Sequence, residues 1–351
     1  MKLISYVFSF KNEEKNLDEL VKRVDSSIKK LNNYDYELIF VNDASNDNSE
    51  NILLELQKKF PITIINMSRT FGVGPCVLAG FKHTKGDCII YMDSDLQDPP
   101  ELIEKLIKEY ENGAEVVHTI RTKRLGENKF KLFVTKMAYK IINFLSDIKL
   151  PVEAGDFKLI SRPALNKILD QNEFRPYIRG LSVWVGFKQA YVKYVRDSRF
   201  SGETKFPLFS SGPVNQFISG ITAYSLKPLY FGIIVGMISI LFSLLLIIYA
   251  LYMKFSDTAV PGTAGIIITI SFFSGIILLT LGVTGIYIAR IFEEVRGRKS
   301  YVIKDIKEKK IWGLTTLQIL IQFQVKMDLL VDLNDEESLA NYLLALDSLK
   351  M

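Results

Sequence analysis

The sequence predicts a mostly parallel α/β sheet with helices on both faces, followed by interfacial helices and a two-span transmembrane helical hairpin. Three observations carry this. Over residues 1–120, short apolar runs alternate with longer amphipathic segments, the pattern of strands joined by crossover helices. Two later stretches, 228–253 and 258–289, hold no charged residue over 26 and 32 positions, and about 20 apolar residues suffice for a helix to cross a bilayer core. Between these parts, 206–226 is uncharged but broken by Pro207, Gly212, Pro213 and Asn215, which suits short helices lying in an interface.

Taken in order, strands are expected at 3–9, 37–41, 62–66, 88–92 and 115–119, and helices between them at 13–31, 49–60, 74–83 and 99–112. Asp47 before Ser49, and Asp98 before Pro99-Pro100, read as helix starts, because a carboxylate satisfies free N–H groups and proline fits the first turn. Buried helices of soluble proteins seldom run as long without charge as 228–253 and 258–289 do, so these two read as spans joined by a short turn ending in Pro261-Gly262. Lys227 precedes the first span, and Arg290, Arg296, Arg298 and Lys299 follow the second, while the turn holds only Lys254. The positive-inside rule then puts the N-terminal domain and both termini in the cytoplasm, on a multi-pass protein of the plasma membrane. The expected organisation is a cytosolic α/β domain at 1–205, an interfacial segment at 206–226, two spans within 227–290 and a cytosolic tail at 291–351.

Composition excludes several classes. Lys plus Arg number 44 against 39 Asp plus Glu, too even a balance for a nucleic-acid binder working by charge. Two cysteines, Cys76 and Cys88, exclude a disulfide scaffold. Two histidines, His83 and His118, argue against a zinc site. No leader pattern opens the chain.

Ligands of parallel sheets bind beyond the carboxyl ends of the strands. There the sequence places Asn12-Glu13-Glu14, Asn42-Asp43-Ala44-Ser45, Ser68-Arg69-Thr70 and Asp93-Ser94-Asp95-Leu96-Gln97-Asp98. Helix caps explain some of these acids but not their recurrence at successive strand ends. Asp93 and Asp95 are the sharpest pair. Residues two apart in extended chain point the same way, and two carboxylates form an oxygen site for a hard cation such as Mg2+ or Mn2+.

The run Tyr91-Met92-Asp93-Ser94-Asp95-Leu96-Gln97-Asp98-Pro99-Pro100-Glu101 resembles the signature of the polyprenyl-phosphate glycosyltransferases, the group of dolichol-phosphate mannose synthase and bactoprenol glucosyltransferase. Asn12-Glu13-Glu14, Val41-Asn42-Asp43-Ala44-Ser45, the segment 154–160, the stretch Ile178-Arg179-Gly180-Leu181 through Phe187, and the segment 199–205 agree in order. The two-span hairpin resembles the bacterial branch. The resemblance implies a GT-A fold, a nucleotide-sugar donor, a divalent metal (Mg2+ or Mn2+) and a polyprenyl-phosphate acceptor in the bilayer. It implies that Asp93, Asp95 and Gln97 hold the metal and that Asp43 bonds the nucleotide base. Asn12, Glu13, Arg69, Arg121 and Arg124 would line the donor site, Arg199 and Lys205 would clamp the acceptor phosphate, and Asp156 would lie near the reacting centre as a base or a sugar contact. The expected reaction moves a hexose, with glucose from UDP-glucose leading, onto undecaprenyl phosphate for cell-envelope glycan modification. GDP-mannose, UDP-N-acetylhexosamines and UDP-modified pentoses are the alternatives, with a non-catalytic membrane scaffold as the rival of another class. A processive polysaccharide synthase would need a Gln-x-x-Arg-Trp motif, and neither Trp184 nor Trp312 follows an arginine.

Two departures stand out. Ser9-Phe10 replaces the proline usual in the first loop, and Arg69-Thr70-Phe71-Gly72 replaces an Arg-Asn start to the third. After 311 the chain has no counterpart in the resemblance. Ile321 to Leu329 alternates as a strand does and Asn334-Asp335-Glu336-Glu337 starts a helical pattern. A lone strand must pair with something, so contact between copies of the chain is an expectation here.

Overall fold

A computed structural model describes residues 1–31, 33–124, 129–151, 153–196, 211–256 and 262–309. The expected alternation is present. The elements run β1 (Lys2–Phe10), α1 (Leu17–Ile28), β2 (Tyr34–Asn42), α2 (Ser49–Gln57), β3 (Ile62–Met67), α3 (Val73–Lys82), β4 (Cys88–Asp93), a 3-10 turn at Pro100–Leu102, α4 (Ile103–Glu111) and β5 (Val116–Arg124). Then follow α5 (Lys129–Leu145), β6 (Ala154–Ser161), α6 (Arg162–Asp170), α7 (Ile178–Trp184), β7 (Gln189–Arg196), α8 (Ser211–Thr222), α9 (Lys227–Phe255), α10 (Thr263–Val295) and β8 (Ile303–Glu308).

The eight strands form one sheet in the order β7-β5-β6-β4-β1-β2-β3-β8. β1 pairs parallel with both β2 and β4, β2 with β3, and β5 with β7, while β6 runs antiparallel between β4 and β5. The central strands are continuous apolar runs because both of their faces are covered. On one face α1 contributes Leu17, Leu20, Val21, Val24 and Ile28, the spacing of a single apolar helix stripe, to a core shared with α2 and α4. On the other face α3, α6 and α7 pack over Val7, Ile39, Ile89 and Ile160. Strand order switches sides between the parallel neighbours β1 and β4, which carry Asn12 and Asp93-Asp95 at their carboxyl ends. That crevice is where such sheets bind ligands.

Two sequence expectations are corrected here. Asp98 does not cap the helix after it: the N-cap position falls on Pro99, and the Asp98 carboxylate is drawn into the buried network described below. The segment after the second apolar helix is not wholly a tail. β8 is the edge strand of the sheet beside β3: Ile303, Asp305 and Lys307 share its half-buried face, with Ile303 packed on the core and Asp305 bonded to Asn66. The expectations for 311–351 lie outside the described residues.

α9 and α10 pass each other antiparallel. A Cβ on Gly232 would lie 3.0 Å from Thr280, and the Phe242 and Phe273 rings stand 6.4 Å apart further along. Among the described residues these are the two helices long and apolar enough to cross a membrane, at Lys227–Tyr249 and Phe272–Val295, with mean hydropathies of 2.9 and 2.0. Only 0% and 6% of these stretches is buried within the protein.

The hairpin is fastened to the sheet domain at its base, within a unit that extends from Met1 to Lys307. Tyr287 donates to the Ser225 carbonyl at 2.7 Å, and Arg290 Nη1 to Thr222 Oγ1 at 2.6 Å. Arg175 pairs with Glu293 at 2.5 Å, and the Phe174 N–H donates to Glu294 at 3.0 Å. Tyr224 fills a notch over α7 that exists because residue 180 is glycine: a Cβ there would lie 2.2 Å from the Tyr224 ring and 2.8 Å from Tyr177. Gly180→Ala is therefore expected to lower stability by roughly 1–3 kcal/mol through overpacking. Gly236→Ala, whose Cβ meets nothing within 4 Å, should not. Thermal unfolding of the two variants in detergent checks this, and equal melting would refute the docking of Tyr224.

Candidate active site

Four carboxylates gather where β4 ends and antiparallel β6 begins: Asp93, Asp95, Asp98 and Asp156. Their environments separate them into two kinds. Asp98 is fully buried and accepts from Arg121 Nη2 at 3.1 Å and from the Tyr194 hydroxyl, with Arg196 Nε 3.3 Å away. Arg121 also donates through Nε to Tyr194 at 3.0 Å. Room for its guanidinium comes from Gly155, where a Cβ would stand 2.7 Å from Nη2.

Asp156 is held by Arg179, whose Nε donates at 2.8 Å and whose Nη2 takes the other oxygen, a bidentate fork. Arg179 also donates to the Tyr139 hydroxyl at 3.0 Å. Burial alone would raise the Asp156 carboxyl, but Arg179, with Lys158 and Arg121, holds it well below the usual carboxylate range. Lys158 is fully buried, donates to Ser182 Oγ at 3.1 Å, and is lowered to about 8 by that burial.

Asp93 and Asp95 are the other kind. Asp93 accepts from the Tyr91 hydroxyl at 3.4 Å and has no ion-pair partner among the described residues. Burial first, then the charges of Asp156, Asp95 and Asp98, push its carboxyl up to about 7. Asp95 is 7% exposed, and its Oδ1 accepts the Gln97 N–H at 3.2 Å across a turn in which Leu96 has φ 58°. Asp93 is a half-buried carboxylate beside three more, with no ion pair of its own among the described residues, which makes this an oxygen-rich place. That donor set fits a hard divalent cation. Among the described residues no three His, Cys, Asp or Glu side chains group closely enough to enclose a metal, so Asp93 and Asp95 would hold one only with further oxygens, from Gln97 and from a ligand's phosphates.

The loops beyond β1, β2 and β3 are tied to one another. Both Asp43 oxygens accept backbone N–H groups of the third loop, from Phe71 at 2.7 Å and Gly72 at 3.0 Å. Asn12 donates its N–H to Ser45 Oγ at 3.0 Å and accepts the Asn46 N–H at 2.9 Å. Asn12 and Ala44 have φ 54°, a left-handed conformation costly for alanine and found where the surrounding structure enforces it. The Glu13 carboxylate accepts from Asn16 Nδ2 at 2.6 Å. Arg69 stacks its guanidinium 4.0 Å from the Phe71 ring centroid.

Of the residues singled out from sequence, the structure brings Asp93, Asp95, Asp156 and Arg121 into one charged cluster, and Asn12 and Asp43 into the adjoining loops. Arg124 ends β5 in register with Arg196, and its side chain lies outside the described residues, as do Arg199 and Lys205. Sequence reasoning missed Asp98, Lys158, Arg179, Tyr194 and Arg196 as members of the cluster. Arg179 had a signal in its motif, but nothing local to β7 marks Tyr194 or Arg196.

Residues 5–169 match the family model described as glycosyl transferase family 2. An uncharacterised glycosyltransferase of Bacillus subtilis (strain 168) is 39% identical over 313 residues, spanning 88% of this chain and 96% of that protein. A prophage bactoprenol glucosyl transferase homolog of Escherichia coli (strain K12) is 34% identical over 87% of this chain and 99% of its own length. The bactoprenol glucosyl transferase of Shigella phage SfV is likewise 34% identical over 87% and 99%. Among solved structures, glucosyl-3-phosphoglycerate synthase from Mycobacterium tuberculosis, in complex with Mn2+, UDP and phosphoglyceric acid, aligns with TM-score 0.47 and 17% identity, covering 63% of this chain and 76% of that one.

Removing one partner of a buried ion pair leaves the other charge uncompensated, at a cost of about 3–5 kcal/mol. Asp98→Ala should destabilise by that amount. Tyr194→Phe, which removes a hydroxyl that donates to the Asp98 carboxylate and accepts from Arg121 but keeps the ion pair, should cost less, about 1.5–3 kcal/mol. Denaturant unfolding of the solubilised protein measures both, and small equal losses would show that Asp98 does not anchor the cluster.

Proposed function

The chain belongs to glycosyltransferase family 2, and on that premise we propose that it moves a hexose, glucose from UDP-glucose, onto a polyprenyl phosphate held in a membrane. The observation that carries this reading is that one compact unit joins the acidic strand ends to two exposed apolar helices. An acceptor whose phosphate lies at the head-group level needs an enzyme built that way.

In the reaction an oxygen of the lipid phosphate attacks the anomeric carbon, a new C–O bond forms there, and the bond to the nucleoside diphosphate breaks with inversion. Asp93 and Asp95, with Gln97, would hold Mg2+ or Mn2+, which supplies Lewis-acid stabilisation of the departing diphosphate. Asp43, Asn12 and Glu13 lie on the loops that would receive the nucleoside, and Arg69 would face the phosphates, while Arg121 stays bonded to Asp98 and Tyr194 behind them. Asp156 is not a base in this scheme. Its carboxylate is locked to Arg179 and its affinity for a proton is depressed. None is needed, because an acceptor phosphate, whose second pKa is about 6, is already anionic near neutral pH. Asp156 instead orients Arg179, while Arg199 and Lys205 would position and neutralise the acceptor phosphate and Arg124 would line the donor site.

Membrane placement has support beyond the hairpin. α5 presents Phe133, Met137, Ile141 and Phe144 on one exposed stripe, with Phe133 63% and Phe144 80% exposed. Its end is tied to the foot of the first apolar helix by Lys227 Nζ, which donates to the Phe144 carbonyl at 3.3 Å. A stripe at that level suits the acyl boundary. Flanking charge supports both termini on the cytoplasmic side of the plasma membrane.

The test is a panel of radiolabelled nucleotide sugars given to membranes containing undecaprenyl phosphate. Label from UDP-glucose should enter the lipid fraction and should stop with excess chelator. A different active donor would reassign the sugar, and no transfer from any donor would refute the reaction. Asp95→Asn should cut turnover by about 10²-fold or more, as loss of a group stabilising developing charge does. The variant should still fold, because asparagine keeps an oxygen for the Gln97 N–H. A cysteine at Gly262 should be labelled from the outer face and one at Arg298 should not. The reverse pattern would invert the orientation.

A further inference from the structure

We propose that β8, the strand that follows the second apolar helix, is a positioning element for the donor site, acting through Asp305 and a chain of oriented side-chain amides. This rests on the reading above that the loops beyond β1 and β2 receive the nucleotide sugar.

The geometry is a relay with one sense. Asn66, buried at the end of β3, points its amide nitrogen at two carboxylates, Glu50 Oε1 at 2.7 Å and Asp305 Oδ1 at 2.8 Å. Two acceptors on one side leave an asparagine no choice of orientation, since its nitrogen can only donate and its oxygen only accept. The Asn66 oxygen must then face the opposite way, where it accepts from Asn42 Nδ2 at 3.0 Å. That donation orients Asn42 in turn, and its oxygen accepts the Ser45 N–H at 2.8 Å. Ser45 Oγ accepts the Asn12 N–H at 3.0 Å. Asp305 is thereby connected through Asn66, Asn42 and Ser45 to Asn12, across the turn that carries Asp43 and the left-handed Ala44.

The strand is fastened where the relay needs it. Gln57 Nε2 donates to the carbonyls of Ile62 and Lys307, each at 2.8 Å, bridging β3 to β8. Lys307 pairs with Glu50 at 2.5 Å, which keeps that carboxylate charged and in place as the second acceptor for Asn66. The Ser68 N–H donates to the Val302 carbonyl at 2.9 Å, and Tyr301 and Ile303 pack against the core. Without Asp305 the amide of Asn66 keeps only Glu50. A flipped Asn66 would turn its nitrogen toward Asn42, and two donors would face each other in a buried place.

The relay acts on the ground-state geometry of the donor loops and touches no reacting atom, so its signature is a split between KM and kcat. In the full-length protein in detergent with Mg2+, Asp305→Ala should raise the KM for UDP-glucose about three- to tenfold, the scale of one ordinary hydrogen bond lost in the loop's support. kcat should stay within about twofold. Asp305→Asn, which still presents an oxygen to Asn66, should restore KM to within about twofold of the parent. The thermal midpoint reports separately on the strand's structural contribution. An unchanged KM in Asp305→Ala, or a KM raised equally in Asp305→Asn, would overturn the relay. Asp43→Ala is the companion variant: if it loses UDP affinity by calorimetry while Asp305→Ala does not, the donor reading stands and the relay falls. If Asp43→Ala binds UDP as the parent does, the donor site is elsewhere and the relay falls with that reading.

Discussion

A carboxylate taken out of water is costly unless a cation or hydrogen-bond donor compensates it, and the acidic end of this sheet gathers four. Two of them are held by arginines. Asp98 takes Arg121 and Tyr194, with Arg196 close by, and Asp156 takes the fork of Arg179. Asp93 and Asp95 stand next to these completed pairs, and burial, followed by the negative charge around it, raises the Asp93 carboxyl. Much of the local architecture serves this division. Antiparallel β6 inserts between β4 and β5 and so carries Asp156 to the strand that ends in Asp93. Gly155 leaves space for the Arg121 guanidinium, and β7 brings Tyr194 and Arg196 to Asp98.

The same arrangement decides which groups are free to do chemistry. Asp156 sits where a general base is often sought, yet its bidentate partner makes it an orienting anion. In the proposed reaction no base is needed, because a lipid phosphate would arrive already charged. The hairpin is joined to the sheet domain through Tyr224 over Gly180, Tyr287 on Ser225 and Arg175 on Glu293, so the foot of the apolar helices meets the loop that leads into α7 and Arg179.

What could be read from the sequence followed from how local the physics is. Strand–helix alternation through residue 120 and the uncharged runs were legible because hydrophobic periodicity and length are properties of neighbouring residues. Asp93 and Asp95 were legible because two acids end an apolar strand. Asp98 was misread as a helix cap for the same reason: the local view offers Pro99 and Pro100, whereas its partners come from β5 and β7. Arg179 could be seen only as part of a motif, since its pairing with Asp156 is made in space. β8 was lost to the tail because a six-residue strand after two spans carries no mark of the sheet edge it completes.

The central claim is that Asp93 and Asp95 form half of a divalent-cation site whose other oxygens come from the donor's diphosphate. Electron paramagnetic resonance of Mn2+ titrated into the full-length protein with UDP tests it most directly. The account predicts one bound Mn2+ per chain that requires UDP for tight binding and is lost in Asp93→Asn and Asp95→Asn. Mn2+ binding that persists unchanged in both variants, or is absent with UDP present, would contradict it.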